Sequence, residues 1–353
     1  MTVSLKPLSE QVMVIVGASS GIGLATARRA AAAGAKVVLA ARNSEALDEA
    51  VVAIRNKGGE ATALDVDIAE EGSAEKLLAH AVGTFGRVDT WVNDAAVALY
   101  ARVEEVSLEE HRRVFDVGYF GLVQASLVAA RHLRERGGAL INIGSVLSNR
   151  AIPLQGPYCA MKAAVMQFTD TLRMELEQAD APVSVTLIKP AGIDTMYPEH
   201  ARNKLDKPAR LPQPLYDAEL VAKAICFAAT HKRRTLIVGG GGLALTTLAP
   251  ALPRLADKGM ELMGAELSQT TDVPPAPGTN DNLFEPRADG RVEGNQEPFK
   301  RKTSLFLEAQ MHPVATAALV GSAAVGAFLL AKRRDEDVGT AEAQRRIRAA
   351  GMS

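Results

Sequence analysis

The alternation of short apolar runs with longer helical segments constrains the fold of this 353-residue chain most strongly. Between residues 12 and 240, each run rich in β-branched and aliphatic residues is followed by a stretch of helix length. The predicted strands are 12–16, 36–40, 61–64, 88–92, 140–143, 183–188 and 235–238. The predicted helices are 22–33, 44–56, 73–85, 108–136, 157–176 and 218–231. Such alternation is typical of an α/β fold, with a parallel sheet covered by helices on both faces.

A glycine-rich turn joins the first predicted strand to the first predicted helix. Glycine lets the backbone approach a pyrophosphate, while the helix N-terminus supplies N–H donors and partial positive charge. A tight turn without a ligand is the alternative interpretation, because glycine serves that role as well. The residues predicted to bind a dinucleotide here are Gly17, Ser19, Ser20, Gly21, Ile22 and Gly23.

The end of the second predicted strand indicates which dinucleotide is bound. Chains that bind NAD usually carry an acid here for the ribose hydroxyls, whereas this chain has Ala41 followed by Arg42. An arginine accommodates a 2′-phosphate, so we expect NADP rather than NAD. A solvated surface arginine is the alternative. Asp65 and Val66 end the third strand, where an acid can accept from the adenine amino group, although an ordinary turn aspartate explains Asp65 nearly as well.

Three residues predict the chemistry. Tyr158 and Lys162 lie at i and i+4 on one predicted helix, so they share a face. A cation beside a phenol favours the phenolate, so we expect Lys162 to lower the pKa of Tyr158 from about 10. Tyr158 would then serve as a general acid or base near neutral pH. Ser145 would hold the oxygen that is reduced or oxidised.

Together these motifs resemble the short-chain dehydrogenase/reductase family over roughly residues 8–245. The resemblance implies a doubly wound, Rossmann-like seven-stranded sheet and hydride transfer involving a carbonyl or hydroxyl group. It implies Ser145, Tyr158 and Lys162 as the catalytic set, with Tyr158 and Lys162 also touching the cofactor. It further implies cofactor contacts in two loops, at Asn93 and Ala95 after the fourth strand and at Pro190, Ile193 and Thr195 after the sixth.

The chain departs from the family pattern in three places. In the loop after the fourth predicted strand, Ala96 replaces the family's glycine. After the sixth strand, Ala191 replaces the glycine of the family's Pro-Gly pair. The family's helical asparagine, which holds a proton-relay water beside the lysine, corresponds to Gly118. A second water could fill the space, or the relay is impaired and turnover is slow. A catalytically weak or inactive NADP-binding, membrane-associated scaffold or sensor is therefore the alternative function, beside the NADPH-dependent oxidoreductase.

Composition divides the chain into three predicted regions. Residues 1–270 form the catalytic domain, and residues 271–303, dense in Pro, Gly, Asn and charge, are predicted to form an extended or disordered linker. Residues 304–353 contain an uncharged apolar segment at 314–331, predicted to form a helix that associates with a membrane. A helix folded back on the core is the alternative. Residues 196–215 are predicted to cover the substrate.

Charge and cysteine content limit the partners. Lys and Arg total 40 against 41 Asp and Glu, which gives no case for nucleic-acid binding. Two cysteines and six scattered histidines match no disulfide framework or metal site. We therefore expect a small-molecule carbonyl or alcohol substrate, no metal, and a cytoplasmic catalytic domain, with the apolar segment as a possible anchor to the cell membrane. The family resemblance implies a dimer or larger homo-oligomer.

Overall fold

A computed structural model describes residues 3–240, 252–264, 269–273, 280–287, 290–295, 299–319 and 321–322. Among these residues, seven parallel strands form one sheet, which confirms the predicted fold. In chain order they are β1 (Val12–Val16), β2 (Lys36–Ala41), β3 (Ala61–Asp65), β4 (Thr90–Asn93), β6 (Gly138–Ile143), β7 (Val183–Pro190) and β11 (Thr235–Val238). Their spatial order is β11-β7-β6-β4-β1-β2-β3. The order reverses at β1, so the carboxyl ends of β1 and β4 flank a crevice where this class of sheet binds ligands.

Helices cover both faces of the sheet. They are α1 (Gly21–Ala32), α2 (Ser44–Arg55), α3 (Ser73–Phe85), α4 (Leu108–Phe115), α5 (Gly121–Arg136), α6 (Gly156–Gln178) and α8 (Ala218–Ala228). The described residues also form the short helix α7 (Tyr197–His200) and helices at Pro253–Met263 and Leu305–Met311, with 3-10 turns at Leu8–Glu10, Val103–Glu105 and Val146–Ser148. The strands are almost wholly buried, as expected for a sheet covered on both faces.

The segment predicted as a single helix over 108–136 is two helices. A π-helical turn, Asp116–Phe120, separates α4 from α5. Two glycines at this turn allow close packing: a Cβ at Gly121 would lie 2.9 Å from Ile68, and one at Gly118 would lie 2.7 Å from Met161. A π-turn continues the helical backbone with one extra residue, so the sequence pattern did not divide the segment.

Two small sheets lie beyond the carboxyl edge of the main sheet. Strands β5 (Leu99–Tyr100) and β9 (Arg202–Asn203) pair with each other. Strand β10 (Leu215–Asp217) pairs on one side with β8 (Ile193–Asp194) and on the other with β12 (Lys300–Arg301). The second sheet therefore fastens part of the predicted linker to the catalytic region.

The described residues of 271–303, predicted to form an extended or disordered linker, contact the catalytic region. One compact unit spans Met1–Leu307, and Glu308–Ser353 forms a separate unit. Leu283 is fully buried in the main hydrophobic core, and Asp281 forms an ion pair of 2.8 Å with Arg202. Polar composition predicted a free segment, but here the backbone supplies many of the contacts, and backbone contacts leave no compositional signal.

No helix within the described residues is long and apolar enough to cross a membrane. Of the apolar segment predicted at 314–331, residue 320 and residues 323–331 lie outside the described part of the chain. Membrane association of this segment stays a prediction.

Candidate active site

A cavity of about 610 Å³ lies at the carboxyl edge of the main sheet. Its walls come from the loops that follow β1, β2, β3, β4, β6 and β7, and from α6 and the 196–214 region. This volume falls within the range of pockets that enclose small molecules and cofactors. The loop after β7 brings Met196, Tyr197 and Pro214 to the wall, where the sequence predicted a cover for the substrate.

The glycine-rich turn forms one end of the cavity. Gly17 has a φ of 92°, and a Cβ there would lie 2.7 Å from the backbone nitrogen of Ala95, so the loops after β1 and β4 touch directly. Three N–H groups open α1. That of Gly21 donates to the carbonyl of Arg291 at 2.9 Å, and that of Gly23 donates to the Asp94 carboxyl group. Only the Ile22 N–H has no partner among the described residues, so it is the donor left for an anion.

Arg42 lies beside this turn at the end of β2. Its Nη1 donates to the Phe284 carbonyl at 2.6 Å and its Nη2 to the Asn282 carbonyl at 2.5 Å. Three of the five guanidinium N–H groups have no partner among the described residues, and Arg42 lines the cavity. Arg113 forms an ion pair of 2.6 Å with Asp67, so a second arginine close to this end is already neutralised.

The three predicted catalytic residues converge in the middle of the cavity. Ser145 follows β6 and its hydroxyl hydrogen-bonds Tyr158 on α6. The Lys162 ammonium lies 5.7 Å from the centre of the Tyr158 ring and donates to the Ile143 carbonyl at 2.7 Å. One turn of α6 and the end of β6 therefore place a hydroxyl, a phenol and a cation together.

Burial shifts the pKa values of Tyr158 and Lys162. Burial raises the pKa of Tyr158, and its hydrogen bond with Ser145 acts in the opposite direction but does not cancel the rise. The spacing of the two side chains alone predicted a pKa of Tyr158 lowered by Lys162. Burial lowers the pKa of Lys162 itself, and the nearby Asp94 carboxylate acts against that change. Tyr158 is therefore a protonated phenol at neutral pH, which suits a proton donor.

Met161 occupies the space beside Gly118. A Cβ at Gly118 would lie 2.7 Å from Met161 Cε and 2.8 Å from Met161 Sδ, and Met161 is fully buried. The sequence alone allowed a second water in the space left by the family's asparagine. The side chain there is an apolar thioether, which does not serve as a relay for protons.

The end of the cavity opposite the glycine turn is largely apolar. The Tyr197 ring packs edge-on against Tyr158 with centroids 5.3 Å apart, and its hydroxyl donates to Gln155 Oε1 at 2.8 Å. Gln155 is in turn held by Gln269 at 2.7 Å, and both glutamines are buried. The aliphatic side chains on this wall are Val146, Leu147, Ile152, Met196, Leu211 and Met260.

Most of the site residues predicted from the sequence line this one cavity, and three do not. The Asn93 side chain is used inside the core, where it bonds Ser126 at 3.0 Å and Asn142 at 2.9 Å. Gly23 is buried behind the turn, and Asp65 is exposed outside the cavity. The members lining the cavity are Gly17, Ser19, Ser20, Gly21, Ile22, Arg42, Val66, Ala95, Ser145, Tyr158, Lys162, Pro190, Ile193 and Thr195.

Sequence reasoning missed several polar residues of the cavity wall, and Asp94 and Asn282 are two of them. Asp94 carried no predicted role, although a carboxylate close to the glycine-rich turn could have been singled out from the sequence. Asn282 lies in the predicted linker, and no sequence signal places it at the cavity.

Comparison with known proteins agrees with this geometry. The model of the short chain dehydrogenase family matches residues 11–206. This chain belongs to the short-chain dehydrogenase/reductase family. It is 42% identical over 332 residues to an uncharacterized oxidoreductase, YxnA, of Bacillus subtilis, in a match that covers 93% of this chain and 92% of the relative. The part of this chain that the match leaves uncovered is shorter than the stretch after residue 301. The match must therefore include residues 280–301.

Better-defined relatives match the catalytic region. A 3-oxoacyl-[acyl-carrier-protein] reductase of Synechocystis is 34% identical over 66% of this chain and 94% of its own length. An alcohol dehydrogenase from Thermococcus sibiricus, solved with 5-hydroxy-NADP, has a TM-score of 0.57 at 26% identity and covers 65% of this chain and 95% of its own. The protein is thus an oxidoreductase of a family that acts on alcohol and carbonyl groups with a nicotinamide cofactor.

Proposed function

We propose that the protein is an NADPH-dependent reductase of apolar carbonyl compounds, with Tyr158 as the proton donor. The observation that carries this proposal is the common cavity, in which Arg42 lies at one end and Ser145, Tyr158 and Lys162 lie in the middle. The family membership supplies the reaction type, and the residues of this chain support the proposed direction, cofactor and substrate class.

The residues beside the glycine turn fit a phosphorylated dinucleotide. Among the described residues, the Ile22 N–H and three N–H groups of Arg42 are unpaired donors. They lie at the end of the cavity where the glycine turn lets the backbone come close to a pyrophosphate. Arginine recognises phosphate through paired N–H groups, which a lone ribose hydroxyl cannot use as well. This difference supports NADP over NAD.

The catalytic residues then act on the substrate oxygen. The nicotinamide cofactor, when bound, supplies the hydride. A tyrosine with an ordinary pKa near 10 is already protonated at neutral pH, and burial raises the pKa of Tyr158 further, so Tyr158 holds a proton for the substrate oxygen. Ser145 hydrogen-bonds the same oxygen and Tyr158, which keeps the phenol oriented. The Lys162 ammonium, fixed by the Ile143 carbonyl, stabilises the phenolate that is left.

The apolar wall supports a hydrophobic substrate. Beyond Tyr158 the cavity offers aliphatic side chains and the edge of an aromatic ring, and the polar groups of Tyr197 and Gln155 already bond each other. A substrate with many hydroxyl or charged groups would leave them unpaired against this wall, which is costly. Ketones and aldehydes with aliphatic or aromatic bodies fit it best.

A panel of carbonyl compounds tests the proposal. We expect NADPH oxidation with apolar ketones, aldehydes or quinones, and much slower oxidation of NADH. Arg42→Asp should weaken the binding of NADPH relative to that of NADH by about tenfold or more, since a charge-assisted contact is lost and a repulsive one is added. Arg28→Asp, an exposed change on α1, is the control. If the ratio of NADPH affinity to NADH affinity is unchanged in Arg42→Asp, the proposed role of Arg42 is refuted.

A weakly active or inactive NADP-binding protein is the second candidate. The observation that favours it is Met161, whose side chain fills the space where the family's asparagine would hold its relay water. NADPH binding without oxidation across the whole panel would support this candidate over the reductase.

A further inference from the structure

The segment formed by residues 280–287 and 290–295, called here the strap, crosses the cofactor end of the cavity. Several anchors hold it against the catalytic region. Leu283 is fully buried, and its carbonyl accepts from Arg113 Nε at 2.9 Å. The Asn282 N–H donates to the His200 carbonyl at 2.8 Å, and Asp281 pairs with Arg202. These anchors span α4, α7 and β9, so the strap is tied to several parts of the catalytic region.

The strap also contacts the residues proposed to bind the cofactor phosphates. The carbonyls of Asn282 and Phe284 hold both Nη atoms of Arg42, and the Arg291 carbonyl accepts from the Gly21 N–H. At Gly290, a Cβ would lie 2.8 Å from the Ser19 carbonyl oxygen, so the strap backbone lies directly on the glycine turn. The strap therefore fixes the direction in which Arg42 points.

One strap residue in the cavity wall has a buried side-chain atom without a hydrogen-bond partner among the described residues. Asn282 lines the cavity, and its Oδ1 is buried with no hydrogen-bond partner there. A buried amide oxygen without a donor costs free energy unless something fills its place. Arg42, whose Nη2 holds the Asn282 carbonyl, lies next to it. An N–H or O–H of the adenosine part of the cofactor is the donor that this position would receive.

We infer that the strap is part of the cofactor site: the dinucleotide binds beneath it, Asn282 contacts the adenosine part, and the strap must open for the cofactor to leave. This inference rests on the proposed binding of NADP. The strap covers the cavity and does not fill it, because about 610 Å³ stays open beneath a wall that includes Asn282 and Pro286. Within the described part of the chain, the Ile22 N–H also stays available for a phosphate.

Binding of adenosine 2′,5′-bisphosphate and NADPH to the full chain tests the role of Asn282. Asn282→Ala should weaken both ligands by the same factor, about three- to tenfold, because a neutral hydrogen bond to the adenosine part is lost. Asn280→Ala, the same change at an exposed strap position, should leave both affinities within about twofold. Unchanged affinity in Asn282→Ala, or a loss for NADPH alone, would overturn the assignment.

Limited trypsin digestion of the wild-type chain tests whether the strap lies over the bound cofactor. The Arg291 side chain is 53% exposed, and Arg287 lies in the same strap. If the cofactor lies beneath the strap, NADPH should slow cleavage after both arginines, because cleavage follows opening of the segment. Unchanged or faster cleavage would overturn the inference, since faster cleavage means that the cofactor displaces the strap.

The two proposals fail in distinguishable ways. A chain that binds neither ligand refutes NADP binding and the strap together. A chain that reduces carbonyls with NADPH but shows neither the Asn282 effect nor protection from trypsin refutes the strap alone. If ligand binding depends on Asn282 and nothing is reduced, the strap stands and the reductase fails.

Discussion

At the scale of single residues, the surroundings of Tyr158, the proposed proton donor, differ from those that the family pattern implies. An apolar side chain, Met161, lies where the family's asparagine would reach, and a carboxyl group, Asp94, lies near Lys162. The sequence alone predicted that Ser145, Tyr158 and Lys162 would meet, because helical spacing fixes two of them on one face. It did not predict Met161, since nothing in a sequence says which buried side chain turns into a space left by glycine.

The contact between Gly118 and Met161 predicts strong coupling between these positions. Gly118→Asn alone should lower the melting temperature, because Met161 must repack in a full core at a cost of about 1–3 kcal/mol. Met161→Ala alone should also destabilise, by leaving a cavity. The loss of unfolding free energy in the double variant should be smaller than the sum of the two single losses by about 1 kcal/mol or more.

Thermal unfolding of the wild type and the three variants measures this coupling. Additive losses would show that an asparagine introduced in place of Gly118 does not compete with Met161 for space. From the family pattern alone, Gly118→Asn is predicted to speed proton transfer. With Met161 in place we expect no gain from that variant, and a gain only when Met161→Ala makes room for the amide.

At the scale of elements, a cluster of charges ties α4 to β9 and to the strap. Glu110 on α4 pairs with Arg202 at 3.2 Å and Lys204 at 2.8 Å, and Arg202 also pairs with Asp281 of the strap. Burial acts to raise the pKa of Glu110, but hydrogen bonds from Lys204, the Ser107 N–H and Arg202 outweigh it and lower the pKa to about 2. These elements are distant in sequence, so no local pattern predicts the cluster.

The lowered pKa of Glu110 predicts how stability depends on pH. A carboxyl group whose pKa is lower in the folded state stabilises the fold fully above its ordinary pKa near 4.5, and this stabilisation is lost as the pH falls towards 2. The melting temperature of the wild type should therefore exceed that of Glu110→Gln at neutral pH. The difference should shrink as the pH falls from about 6 to about 3.

Glu109→Gln is the matched control, because Glu109 is the exposed neighbour of Glu110 on the same helix. It should change the melting temperature little at any pH in this range. A difference between wild type and Glu110→Gln that does not vary with pH would contradict the ionised cluster, since it would point to packing and not to charge.

At the scale of the whole molecule, the sequence predicted the catalytic region better than the region after it. Alternating β-branched and helical segments specified all seven strands, because a sheet buried on both faces needs continuous apolar runs. The strap was predicted as a free linker, because Pro, Gly and Asn are common in such segments. Its position depends on backbone carbonyls that meet Arg42 and Gly21, and every sequence has such carbonyls.

One cavity joins the proposed NADPH site to a protonated Tyr158, and the kinetics of a single substitution test this arrangement. With a carbonyl compound that the wild type reduces, Tyr158→Phe should lower kcat by about a hundredfold or more while NADPH affinity stays nearly unchanged, because the ring is kept and the transferable proton is lost. Tyr119→Phe, outside the cavity wall, should behave as the wild type. Tyr158→Phe with more than about a tenth of wild-type activity would show that Tyr158 is not the proton donor.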